Sequence, residues 1–292
     1  MAQKTVSLQL NQKEIENLKK ELLKEGWFEN MIDNEYVNLR MKNDKGSVCT
    51  LYTSMKVVFQ GSEDFSGIIG GIKEESDTVP RLGVDEVGKG DYFGPLVVVA
   101  CFVNREFLKE YDSLGIGDSK KFSDGKIRDL YGALKKYKYY YSSVIYPGEY
   151  NGLYKEYGNV AILLAKEHSK VIEMGLKDLK ERHIDCKRVV IDQFSSRKDR
   201  ITGELGPLAL SDSIEFMQFH KGESDLAIAS ASVLARGIFL EEMDKMEEEY
   251  YFSFPKGASN VIAPAREFVK KYGVEELGKV AKTSFKTTKK VI

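Results

Sequence analysis

The chain has 292 residues, a formal net charge of −1, 42% apolar and 30% charged residues, long enough for one large or two smaller domains with real cores. This balance excludes a disordered or fibrous chain, and overall charge alone does not mark a binder of nucleic acid. No run reaches the ~18 apolar residues of a membrane span, and the opening Met-Ala-Gln-Lys-Thr lacks the apolar stretch of a secretion signal. With three scattered cysteines (Cys49, Cys101, Cys186), the expectation is a cytoplasmic chain with no membrane contact.

In chain order, Ile15, Leu18 and Leu22 fall at helical spacing within residues 11–25, with Asn11 as a cap and Glu14 three residues on. Three short strands are predicted near 35–41, 47–53 and 55–60, separated by turns around Asn43, Asp44 and Gly46 and at Ser54. A second helix is predicted near 63–75, and Ser76, Asp77, Thr78 and Pro80 make a polar break. Residues 1–75 therefore read as a small α+β unit, 76–81 as a linker and 82–292 as a larger α/β domain.

In the larger domain, strands are predicted at 82–87, 95–103 and 137–146, followed by a helix at about 159–181 that carries Leu164, His168 and Val171 on one stripe. Val189-Val190-Ile191 is a wholly apolar run ending on Asp192, the mark of a buried strand. Ser213 to Phe216 reads as a fifth strand, and 225–249 as a helix. The result is a mixed five-stranded sheet flanked by helices. If the fourth strand lies beside the first, Asp192 comes near Asp85 at the strand ends, where ligands of open α/β sheets gather.

Asp85 and Glu86 break the apolar run of the first of these strands just before Gly88-Lys89-Gly90. Two adjacent acids beside a buried strand repel each other and resist desolvation, and a divalent cation is the simplest way to keep both ionised. Gly83 to Lys89 also reads G-x-x-x-x-G-K, but Gly90 stands where a nucleotide-binding loop needs Ser or Thr. The two acids would moreover repel phosphate, so that reading is excluded. Asp85, Glu86 and Asp192 are oxygen ligands suited to Mg2+ or Mn2+ and to metal-driven displacement at phosphorus. A fourth acid falls at Glu223 or Asp225, ahead of the last long helix, where acids also serve as ordinary helix-start residues.

The small residues Ala227 to Ser232 read as a close-packing helix face. Asp118-Ser119-Lys120-Lys121 offers two cations that suit the phosphates of a polyanion. The histidines (His168, His183, His220) are dispersed and read as helix or surface residues rather than catalysts. Lys279, Lys282, Lys286, Lys289 and Lys290 form a basic end free of acids, either a solvated tail or a phosphate-attracting segment.

These residues carry a resemblance. Gly-Val-Asp85-Glu86-Val-Gly88-Lys89-Gly90-Asp-Tyr-Phe-Gly94-Pro95-Leu is similar to the opening motif of type 2 ribonucleases H. Asp118 to Phe122, Ile191-Asp192-Gln193-Phe194 and Ala229 to Arg236 follow in that family's order. Asp-Gln-Phe after the fourth strand, Phe254-Pro255-Lys256-Gly257-Ala258-Ser259 and the N-terminal unit resemble bacterial ribonuclease HIII. The resemblance implies an RNase H-like fold behind an N-terminal TBP-like domain, and cleavage of the RNA strand of RNA/DNA hybrids with Mg2+ or Mn2+ to 5′-phosphate and 3′-hydroxyl ends. It implies metal ligation by Asp85, Glu86 and Asp192, with Glu223 the better match for the fourth catalytic acid. Gly88, Lys89 and Gly90 match the loop that reads ribose 2′-hydroxyls, and Ser119, Lys120 and Lys121 a substrate-binding turn.

A monomer without an organic cofactor is expected. The rivals are a ribonuclease HII-like enzyme acting at single ribonucleotides, a non-catalytic nucleic-acid-binding protein and a small-molecule phosphohydrolase. Phe252-Ser253-Phe254-Pro255 replaces the Tyr-Pro-Thr-type motif of the first, and the intact acids disfavour the second.

Overall fold

The computed structural model describes residues 4–10, 12–69, 72, 79–117, 119–192, 199–219, 222 and 225–292. The chain divides into two units, Met1–Val79 and Pro80–Ile292, each with its own apolar core.

In the first unit, alternating apolar and polar residues build an antiparallel sheet. Its strands are β1 (Lys4–Gln9), β2 (Phe28–Glu29), β3 (Val37–Lys42), β4 (Val48–Tyr52) and β5 (Lys56–Gly61), in spatial order β1-β5-β4-β3-β2. The register aligns Leu8, Val57, Leu51 and Leu39 across four strands, with Val6, Phe59, Cys49 and Met41 beside them. Helix α1 (Gln12–Lys24) lays Leu18 and Leu22 on this apolar face, both fully buried. The intervening row of Ser7, Val58, Thr50 and Arg40 belongs to the opposite face. β1 and β2 have no counterpart among the predicted elements. Of the helix expected over 63–75, residues 66–69 and 72 are helical.

The second unit holds a mixed sheet of β6 (Arg81–Val87), β7 (Leu96–Val103), β8 (Tyr140–Ile145), β9 (Arg188–Asp192) and β10 (Glu215–Phe219). The order is β10-β9-β6-β7-β8, antiparallel across β6, β7 and β8 and parallel across β6, β9 and β10. Its helices are α2 (Arg105–Tyr111), α3 (Asp124–Leu134), α4 (Pro147–Tyr157), α5 (Val160–Glu181), α6 (Asp199–Thr202), α7 (Leu226–Tyr250), α8 (Ile262–Tyr272) and α9 (Val274–Val280). The fifth strand starts later than its local apolar run predicts. Pairing sets its limits, Glu215 against Arg188 and Phe219 against Asp192.

All eight residues of β7 are buried because helices cover both sides of the sheet. Val97, Val99 and Cys101 pack in the cluster that includes Ala231 and Leu234 of α7, while Val98, Ala100 and Phe102 pack with Val171, Ile172 and Leu176 of α5. Each fully buried large apolar side chain contributes about 1.5–3 kcal/mol, so this double layer dominates the unit's stability. Close approach of α7 depends on Gly83, where an added Cβ would stand 2.1 Å from the Ala227 carbonyl carbon. The small-residue run is thus a packing face, as its composition predicts.

The basic end is not a solvated tail throughout. Thr288–Lys290 form a 3-10 turn, and Lys282 is fully buried. Backbone carbonyls that accept its ammonium hydrogens make the burial tolerable.

Candidate active site

Asp85 and Glu86 are consecutive on β6, so the pleat sends them to opposite faces. Asp85 turns toward α7, where its carboxylate accepts hydrogen bonds from the Ser232 hydroxyl and, at 2.8 Å, from the Glu86 N–H. Ser232 meets the Ser119 hydroxyl at 2.7 Å, and both serines are buried. Glu86 turns toward α5. His168 Nε2 lies 3.1 Å from its Oε2, and Lys89 Nζ donates to its Oε1 at 2.7 Å. Val84 pairs with Ile191 in the parallel β6–β9 ladder, so Asp192 stands one register step on, level with Asp85. Its Oδ1 accepts from the Gly222 N–H at 2.8 Å.

Burial first, then the charge of Glu86 and more weakly that of Asp192, pushes the Asp85 carboxyl well above the ordinary carboxylate range. The two hydrogen bonds it accepts offset part of that. Burial pushes Glu86 the same way, but His168 and Lys89 outweigh it and hold this carboxyl low. Like charges are thus crowded at one end of the sheet. Among the described residues, no group of three or more acid, histidine or cysteine side chains closes into a ligand cage. Glu86 is instead committed to Lys89 and His168. The donors are all carboxylate oxygens, and crowded, partly desolvated acids are the chemistry that a hard divalent cation relieves, so the set fits Mg2+ or Mn2+.

The other expected residues separate by role. Glu223 and Asp118 lie outside the described residues. Asp225, the alternative fourth acid, caps α7 by accepting from Ala227 N–H at 2.8 Å and is gripped by the buried Arg81 Nε at 2.9 Å. Both interactions are ones that a helix-start acid makes in any fold. Gly88, Lys89 and Gly90 form the turn directly after β6. Ser119 to Lys121 make a 3-10 turn with Ser119 inward and both lysines exposed. Arg236 of α7 fixes that turn by donating to the Ser119 carbonyl and, at 2.8 Å, to Asp124. A cavity of about 360 Å³ in the N-terminal unit is lined by Trp27, Lys45 and Glu63 among others and includes none of these residues.

His168 is a helix residue, as its spacing predicts, but it is paired with an acid that the spacing did not indicate. It is fully buried and holds Glu86. The signal was present as a polar residue in the apolar stripe of α5, but its partner lies across the sheet and not along the helix. Ser232 was likewise concealed within a run whose composition speaks only of packing.

Comparison with known proteins gives one consistent result. The family described as Ribonuclease HII matches residues 82–288. A ribonuclease HIII of Chlamydia pneumoniae is 37% identical over 252 residues, 82% of this chain and 83% of that one. One of Protochlamydia amoebophila is 34% identical over 260 residues, 83% of each. The crystal structure of Bst-RNase HIII in complex with Mn2+ superposes with a TM-score of 0.71 at 25% identity, covering 99% of this chain and 98% of that one.

Proposed function

The chain belongs to the ribonuclease HIII family, and from that premise we propose how its residues carry the family's reaction. The protein is a ribonuclease H, a divalent-metal-dependent endonuclease that hydrolyses the RNA strand of RNA/DNA hybrids. We assign catalysis to Asp85, Glu86, Asp192 and Glu223, with the first three as ligands of Mg2+ or Mn2+. The Mn2+ held by Bst-RNase HIII supports that choice of ion.

When bound, the cation supplies Lewis acidity at the scissile phosphate. Water oxygen bonds to phosphorus as the bond to the ribose 3′-oxygen breaks, and that oxygen takes up a proton, leaving 5′-phosphate and 3′-hydroxyl ends. Ser232 and the Glu86 N–H orient Asp85, while His168 orients Glu86. The Lys89 ammonium balances the Glu86 charge, a role that a bound cation would take over, leaving the ammonium to substrate phosphate. Gly88, Lys89 and Gly90 face the ribose side of the RNA strand, and Lys120 and Lys121 its phosphates.

Residues 1–75 act as a TBP-like substrate-binding domain, 76–81 as a linker and 82–292 as the catalytic domain. The second face of the first sheet, with the exposed Ser7, the buried Thr50 and the half-buried Arg40 in one polar row, supports a role in binding. The protein works as a cytoplasmic monomer without an organic cofactor and away from membranes. Among the described residues no helix is long and apolar enough to cross one, and the three cysteines are unpaired.

The observation that carries the assignment is the crowding of Asp85 against Glu86 and Asp192 at adjacent strand ends. Its test is cleavage of an RNA/DNA hybrid, a duplex with one ribonucleotide and a DNA duplex, each with Mg2+, Mn2+ or EDTA. Metal-dependent cutting of the hybrid alone is expected. Equal cutting of the single-ribonucleotide duplex would overturn the hybrid specificity.

A further inference from the structure

Two glycines flank Lys89 in the loop after β6, and the fold demands only one of them. Gly88 has φ +95°, and an added Cβ would stand 2.1 Å from the Pro95 carbonyl oxygen. Gly90 has ordinary φ and open space where its Cβ would be. A bare residue there serves an approach from outside, whereas Gly88 is placed by the Pro95 carbonyl.

That carbonyl is held from beneath. Lys282 Nζ donates to the carbonyl oxygens of Asp91 at 3.0 Å, Gly94 at 2.5 Å and Pro95 at 3.3 Å, three acceptors for the three N–H bonds of an ammonium. The same segment straps the loop elsewhere. Gly94 N–H donates to the Val280 carbonyl at 3.0 Å, Lys282 N–H to the Tyr92 carbonyl at 2.8 Å, and the Tyr92 and Thr288 hydroxyls meet at 3.3 Å.

Burying a lysine head group without a carboxylate hydrogen-bonded to it is costly, and burial draws this amine down to about 7, so it is not a side chain chosen to fill volume. Packing alone therefore does not account for Lys282. What distinguishes it from methionine is its grip on three carbonyls of this loop, among them the one against which Gly88 is seated.

We propose that Lys282 is a positioning residue for substrate recognition: it fixes the Pro95 carbonyl, that carbonyl seats Gly88, and the Gly88-Lys89-Gly90 backbone is thereby aimed at the RNA strand. The proposal rests on the reading of this loop as the one that contacts ribose.

The experiment compares full-length wild type, K282M, T288V and G90A on an RNA/DNA hybrid, with KM, kcat, the Mg2+ concentration for half-maximal rate and the thermal midpoint measured for each. K282M is expected to raise KM by about tenfold or more while kcat and Mg2+ dependence change little, the pattern of lost substrate binding. T288V loosens the same strap away from the Pro95 carbonyl and should lower the thermal midpoint with KM unchanged. G90A should raise KM with the midpoint unchanged. If K282M lowers only the midpoint, as T288V does, Lys282 is merely structural and the proposal fails even though G90A still raises KM. If G90A leaves KM unchanged, the ribose-loop reading itself falls and takes the proposal with it. Should K282M not fold, K282Q keeps two N–H donors and is judged by the same KM criterion.

Discussion

Both units are built on a five-stranded sheet, and they dispose of charge in different ways. The N-terminal sheet covers one face with α1 and leaves the other polar, so an acid at its margin finds partners readily. Glu63 accepts from the Ser47 hydroxyl and the Asn43 amide, both at 2.6 Å, and pairs with Lys45 at 2.9 Å. Those hydrogen bonds hold its carboxyl down at about 2. The C-terminal sheet is buried on both faces, which confines charge to strand ends, where Asp85, Glu86 and Asp192 crowd together. One arrangement uses an acid to stabilise the fold. The other keeps Asp85 where burial and its neighbours' charge work against its ionised form, the expected signature of a residue retained for chemistry.

The most severe way to probe this contrast is Asp85→Asn. The amide can still accept from Ser232 and the Glu86 N–H, but the charge is gone. Losing several kcal/mol of electrostatic catalysis should slow hybrid cleavage by about 10³-fold. The thermal midpoint should hold or rise as repulsion is relieved. Appreciable activity in single-turnover assays would sink the assignment.

His168→Gln sharpens the same side of the comparison. Removing a group that orients a metal-binding carboxylate costs about 10–100-fold in metal affinity or activity. The effect should appear as a higher Mg2+ requirement, with hybrid binding in EDTA unchanged. An unaltered metal titration would reduce His168 to a packing residue.

The smallest effect belongs to the satisfied acid. Glu63 stabilises the fold above its ordinary value of 4.5, and that contribution is lost as pH falls toward about 2. Trp27, the single tryptophan, packs edge-on against Phe59 and Phe65 and so reports this unit by fluorescence. Glu63→Gln should cost about 1 kcal/mol at neutral pH once solvent screening is allowed for. The gap from wild type should close on acidification. A gap independent of pH would contradict this account.

What the sequence exposed was whatever local pattern controls. The unbroken Leu96 to Val103 run announced a doubly covered strand, and Asp192 after Val189-Val190-Ile191 announced the end of a buried one. Helix α4 stayed hidden because Gly148 and Gly152 interrupt a face otherwise built from tyrosines. β1 stayed hidden because two apolar residues, Val6 and Leu8, are too few to distinguish a strand end from a loose terminus. His168 and Lys282 escaped for a shared reason. Their partners are distant in sequence, a carboxylate across the sheet in one case and loop carbonyls in the other. A charged or polar letter says nothing about such a partner. Asp225 was legible only as ambiguous, since capping a helix and ligating a metal ask for the same residue type.

The parallel pairing of β6 with β9 also sets when Asp192 reaches Asp85. Asp85 is made early in this unit, but Asp192 can join it only after β7, β8 and the whole of α5 have been synthesised. A chain leaving the ribosome with only the first of these strands holds a pair of acids without the third beside it. Non-local parallel contacts of this kind are intrinsically slow to form. The three acids that crowd this end of the sheet are therefore brought together only once β9 has joined β6.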